Sequence, residues 1–149
     1  MKIRIYSIAK KQNNCDEFIK QIKQFGVIVE DIGIFNANIQ KAQKDSAISA
    51  KESYRAEFSK YLKNNVLNIA LHPNGKEVST FEFSNLLRDK NEITFFIGGA
   101  YGFDDVFLSK TTNISLSKLT FSHKIAKIVV FEQIFRALCI INNHPYHKE

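Results

Sequence analysis

The tightest constraint on this chain is an alternation. Runs dense in β-branched and aromatic residues at 2–9, 27–35, 66–71 and 92–97 are separated by segments whose apolar residues recur at helical spacing. The helical segments are 16–25 (Phe18, Ile19, Ile22, Phe25), 46–62 (Ile48, Tyr54, Phe58, Tyr61, Leu62) and 79–87 (Phe83, Leu86, Leu87). Asn14 is the expected N-cap of the first, and Gly26 its terminator. The segment 36–44 is polar and basic and reads as a mobile loop. A short helix at 103–110, a fifth strand at 113–116 and a long apolar helix at 123–142 complete the order, and a polar tail follows at 143–149. Strands alternating with helices predict an α/β fold with a mostly parallel sheet covered on both faces. With 149 residues there is room for one domain, 1–149, at about 100–200 residues per domain.

The remaining classes fall away quickly. Six Gly and two Pro exclude collagen-like chains, and a 44% hydrophobic content excludes disorder. No run reaches the roughly 18–20 apolar residues of a membrane span. The opening strand carries Lys2 and Arg4 inside its pattern, unlike a secretory apolar run. Cys15 and Cys139 lie far apart without metal-type spacing and read as reduced thiols of a cytoplasmic protein, Cys139 in the core. His144 and His147 are separated by Pro145 and have no further ligands beside them, so no metal is expected.

Charge is more informative. The chain carries +6, and from residue 110 onward six Lys/Arg face two acids. Three of the four His lie there as well. That balance favours a phosphate-rich partner, although a solvated basic surface would read the same way.

Three strand ends carry loops of small or polar residues: His72-Pro73-Asn74-Gly75-Lys76, where strand 66–71 is expected to stop in a turn, Gly98-Gly99-Ala100-Tyr101-Gly102, and Leu116-Ser117-Lys118-Leu119-Thr120-Phe121. Ligands of open α/β sheets sit outside the carboxyl ends of strands. Leu71, Leu116, Leu119 and Phe121 would wall one pocket, with backbone groups supplying polar contacts. The glycines match neither a dinucleotide fingerprint nor a P-loop, and from this motif alone a simple tight turn is the favoured reading. No nucleophile–base set and no paired carboxylates in apolar settings support hydrolysis. From the residues alone, a non-catalytic RNA-binding module on the basic face and a small nucleotide-binding enzyme both stand.

Five strings in order sharpen this: Leu71 followed by Gly75-Lys76; Phe96-Ile97-Gly98-Gly99-Ala100-Tyr101-Gly102; 116–121 with His123; Glu132-Gln133 with Phe135-Arg136-Ala137; and His144-Pro145-Tyr146-His147-Lys148. Together they resemble the ribosomal large subunit methyltransferase H family, small members of the knotted SPOUT class. The resemblance spans the chain and is strongest from Leu67 onward. It implies a C-terminal deep trefoil knot, a homodimer, S-adenosylmethionine bound in the knot, and methylation of N3 of a pseudouridine, conventionally position 1915, in helix 69 of 23S rRNA within the ribosome. Carried over by residue, it implies cofactor contacts from Leu71, Gly98, Leu116, Ser117, Lys118, Leu119, Thr120 and Phe121. It implies catalytic roles for His147, Arg136 and Tyr146, and RNA contacts from His123, Lys127, His144 and Lys148. On this reading His147 takes the N3 proton and Arg136 stabilises charge on the flanking carbonyl oxygens. The long helix, with Phe131 and Phe135, would be the dimer interface. Four positions depart from the family pattern: His72 for an acid, Phe103 for Leu, Ser122 for Pro and Lys127 for Arg.

Overall fold

The structure is a computed structural model that describes residues 1–10 and 14–148. The chain runs β1 (Lys2–Ser7), α1 (Asp16–Ile22), β2 (Ile28–Gly33), α2 (Ala37–Asp45), α3 (Ala47–Phe58), β3 (Leu67–Glu77), α4 (Thr80–Leu87), β4 (Glu92–Ile97), α5 (Asp105–Leu108), β5 (Thr112–Ser115) and α6 (His123–Ile141). The five strands pair in the order β2-β1-β4-β3-β5, all parallel.

The period-2 alternation of the strands divides the core in two. Ile3, Ile5, Ile69, Leu71, Ile93, Phe95 and Ile97 face one side and bury against α1, α4 and α6 through Ile22, Phe83, Leu87, Phe131 and Ile134. Tyr6, Ala70 and Phe96 face the other and bury against α2, α3 and α5 through Ile39, Tyr54, Phe58 and Phe107. Each face is covered, as an all-parallel sheet requires.

Several expectations change. The segment 36–44 is not a loop but α2. Asn36 caps it by accepting from the Ile39 amide at 2.9 Å, and Ile39 is its one buried anchor. Ile39 and Ala42 recur at helical spacing on an otherwise polar segment, and Ala, Gln and Lys favour helix, so the signal is present though short. Asn14 does not cap α1: the N-cap is Cys15, which makes no side-chain bond there and points into the core. Gly26 does end this segment, at φ 72° after a 3-10 turn. The strand read at 66–71 does not stop at His72. It continues to Glu77, with its register on β5 jumping between Leu71 and Lys76, both opposite Ile114. The turn-like residues 72–75 are a bulge. Ile48 is exposed rather than part of the apolar face of α3. Only Asp105–Leu108 of the helix read at 103–110 is helical. Phe131 and Phe135 are buried within the monomer core, so they are not the interface side chains expected of α6.

Candidate active site

The bulge of β3 and the carboxyl ends of β4 and β5 converge on one cleft of ≈ 290 Å³, at the lower end of the usual range for small-molecule sites. Leu71 and His72 form one wall, residues 98–102 a second, and Leu116, Ser117, Leu119, Thr120 and Phe121 a third, with His123 and Ala126 of α6 at the rim. The three segments read as strand-end loops therefore do meet, the first of them as the bulge within β3. Lys118, also expected there, does not line the cleft and is exposed.

Local chemistry shapes each wall. Gly99 and Gly102 form an antiparallel bridge, closed by the Gly102 amide donating to the Gly99 carbonyl at 3.1 Å. Gly102 adopts φ 74°, a conformation that favours glycine. A Cβ on Gly98 would meet the Gly102 backbone at 3.1 Å. A side chain at 98 would thus press on the turn itself, before any ligand is considered. In the third loop the Ser115 hydroxyl donates to the Ser117 carbonyl at 2.7 Å, and the Ser117 hydroxyl accepts from the Leu119 amide at 3.0 Å. These bonds turn the chain so that Leu119, 70% exposed, overhangs the cleft. Apolar walls beside a backbone-lined turn suit a nucleoside-like ligand.

The remaining site residues gather elsewhere. Arg136 donates to Glu132 Oε1 from Nε at 2.9 Å and Nη2 at 2.7 Å. The Tyr146 hydroxyl donates to the same oxygen at 3.2 Å, and the Arg136 guanidinium lies 4.8 Å from the Tyr146 ring centroid. Arg136 Nη1 is 3.1 Å from His147 Nδ1. A guanidinium only donates, so Nδ1 accepts, and the proton of a neutral ring sits on Nε2. That nitrogen is buried without a partner, and the ring packs edge-on against Phe81 of α4. The Glu132 carboxylate raises Arg136 further above its ordinary value. Burial and then Glu132 raise the Tyr146 phenol, which keeps it a neutral hydrogen-bonding group. Glu132 was missed as a site residue by sequence reasoning, although its i, i+4 spacing from Arg136 on a helix was a readable signal.

Other positions resolve individually. Lys127 is not an RNA-facing cation. It is 4% exposed, and its ammonium donates to both Asp31 oxygens at 3.2 Å, tying α6 to β2. His144 and Lys148 are exposed, and the His144 amide donates to the Cys139 carbonyl at 2.8 Å, turning the tail back at the end of α6. Ser122 caps α6 by accepting from the Ile125 amide at 3.3 Å. Phe103 fills the second core beside Phe58 and Phe107. His72 Nδ1 accepts from the Asn74 amide within the bulge. Among the described residues no group of His, Cys, Asp or Glu could hold a metal ion, and no helix is long and apolar enough to cross a membrane.

Cleft and tail lie at opposite ends of α6. His123 and Arg136 are thirteen residues apart on it, about 20 Å at 1.5 Å per residue.

Comparison with known proteins agrees with this architecture. A family model described as "Predicted SPOUT methyltransferase" matches residues 1–147. The chain is 47% identical over 155 residues to the "Ribosomal RNA large subunit methyltransferase H" of Campylobacter lari, covering 99% of this chain and 100% of that one. It is 49% identical over 153 residues to the protein of the same name from Aliarcobacter butzleri, with the same coverage. It is 47% identical over 150 residues to that of Helicobacter acinonychis, again over 99% and 100%. The chain belongs to the ribosomal RNA large subunit methyltransferase H family of SPOUT methyltransferases.

Proposed function

We propose that this protein transfers a methyl group from S-adenosylmethionine to N3 of the pseudouridine at position 1915, in helix 69 of 23S rRNA, acting as a cytoplasmic homodimer on the ribosome. The observation that carries the reading is the convergence of Leu71, the 98–102 turn and the 116–121 loop on one cleft in a chain of this family. S-adenosylmethionine supplies a methyl group already activated on a sulfonium. Leu71, Leu116, Leu119 and Phe121 would hold its apolar parts, and the backbone of 98–102 its polar edge. The knot implied by the family is consistent with the chain path: β5 lies at the sheet edge beside β3, yet α6 returns to pack on α1, α4 and β4.

The protein's remaining work is orientation and proton removal. The N3 proton must leave, and charge then develops on the flanking carbonyl oxygens. In the arrangement described, His147 Nδ1 is engaged by Arg136 and Nε2 bears the proton, so the ring is not yet a base. Accepting the N3 proton at Nδ1 requires Arg136 to release it. The freed Nη1 group then donates to a substrate carbonyl oxygen, so one swap would create both the base and the charge stabiliser.

A homodimer brings these groups to a cleft. Antiparallel pairing of two α6 helices, each about 28 Å long over 19 residues, sets the tail of one copy near the cleft of the other. Ile125 is 46% exposed and Val129 half-buried on the free edge of that helix.

Ribosomes lacking the modification, incubated with the protein and S-adenosylmethionine, should yield 3-methylpseudouridine on nucleoside mass spectrometry. Methyl transfer to another base, or none with intact ribosomes, would overturn the assignment.

A further inference from the structure

Tyr54 is fully buried on α3, directly beneath the 98–102 turn. A Cβ on Gly99 would come within 2.6 Å of both its Cζ and its hydroxyl oxygen. The phenol therefore occupies the space a side chain at position 99 would need, and the bridged turn rests on it. The hydroxyl donates to Gln43 Oε1 on α2, while its oxygen lies directly against the turn at Gly99. One hydroxyl thus links α2 to the cleft wall. Gln43 is one turn beyond Ile39, the single buried residue of α2, and so lies on the same helical face. The inward face of this otherwise polar helix offers a hydrophobic anchor followed by a support for Tyr54. An ordinary core position would be served by Phe, which needs no partner for a buried hydroxyl.

We propose that Tyr54, held by Gln43, is a positioning residue that sets the shape of the 98–102 wall and thereby methyl-donor affinity. The inference rests on the reading that this cleft holds the donor. Burial raises the phenol above its ordinary value, so the hydroxyl keeps the proton that it donates to Gln43.

The test uses Tyr54→Phe and Gln43→Leu in the full-length protein, with three readouts. Amide exchange across residues 99–102, measured without ligand, should quicken several-fold in both variants while β1 and β4 stay protected. The KM for S-adenosylmethionine should rise about three- to tenfold, the range of one net hydrogen bond. Turnover at saturating donor should stay within about twofold, and the melting temperature of Tyr54→Phe should fall by only a few degrees. Unchanged exchange at 99–102 would overturn the inference. So would a melting temperature that falls while the donor KM holds, because Tyr54 would then be only a core residue. Failure of the unaltered protein to bind S-adenosylmethionine by calorimetry would instead refute the assignment of the cleft, and the ligand-free exchange result would still decide the support.

Discussion

The buried pair Lys127–Asp31 gives the sharpest stability prediction, because the two side chains are only 4% and 2% exposed. Lys127→Met keeps the length and apolar stem of the side chain, so packing changes little. What disappears is the countercharge of a carboxylate that water cannot reach. Breaking a buried pair from one side costs about 3–5 kcal/mol. At about 2–4 °C per kcal/mol for a chain of this size, the melting temperature should fall by about 6–20 °C. The double variant Asp31→Leu/Lys127→Met should recover to within about 1 kcal/mol of the parent, since apolar replacement of a whole buried pair is often neutral. Urea unfolding with a common slope, analysed as a double-mutant cycle, measures the coupling. A single-variant cost under about 1 kcal/mol, or a double variant as unstable as the two singles added, would refute the reasoning. The same variant tests the corrected role of Lys127. Assayed well below its melting temperature, folded Lys127→Met should bind ribosomes within about twofold of the parent with an unchanged salt dependence. A salt slope lower by about one phosphate contact would return Lys127 to the RNA-facing surface.

Gly75→Ala places a Cβ within 2.7–2.8 Å of the Ile114 and Asn113 backbone. Backbone cannot yield by changing rotamer, so the cost should be about 1–3 kcal/mol in urea unfolding; a change within about 0.5 kcal/mol would mean the β3–β5 bulge is loose. Arg136→Lys keeps the charge but loses the fork that engages Glu132 and His147. It should lower turnover on ribosomes about tenfold or more with donor affinity within twofold, and unchanged turnover would make the Glu132 pair merely structural. Burial pushes the Cys15 thiol up from 9.0 to about 11. A raised pKa stabilises the fold below the unfolded value, and that contribution is lost as pH rises through about 11. Cys15→Ala should therefore flatten the decline of melting temperature between about pH 9 and 11, and an equally steep decline would assign it to other groups.

The sheet was legible because its strands carry their burial in their sequence: Ile93, Phe95 and Ile97 on one face, Phe96 on the other. The cleft followed from where β4 and β5 stop and from the closely folded glycines at 98–102. What was not legible depends on single contacts made at long range. One buried isoleucine holds α2 in place, and the helix's polar composition outweighed the short Ile39–Ala42 spacing that marks it. The Lys127–Asp31 pair joins residues 96 apart in sequence, and a lone Lys on a helix reads the same whether it faces a buried Asp or solvent. The His-Pro-Asn-Gly string has turn chemistry, but the pairing of Lys76 with Ile114 draws the chain back to the sheet edge and makes it a bulge. Tyr54 looked like one more aromatic on an apolar face, because its partners Gly99 and Gln43 come from two other parts of the chain.

The distance between cleft and tail has an energetic side that bears on the proposed dimer. Arg136 sits on α6 itself, so within one chain it can approach the cleft only if the helix between them breaks. That stretch includes Val130, Phe131, Ile134 and Phe135, and Leu138 follows one turn later; all five are buried. Withdrawing large apolar side chains costs about 1.5–3 kcal/mol each. The four that precede Arg136 amount to roughly 6–12 kcal/mol, comparable to the entire stability of a typical domain. An intrachain encounter between Arg136 and a ligand in the cleft would therefore be equivalent to unfolding. Association with a second copy needs only the exposed edge of the same helix and leaves its buried face in place. If Arg136 acts at the cleft as proposed, an intact α6 is the element that would space two composite sites in the proposed dimer.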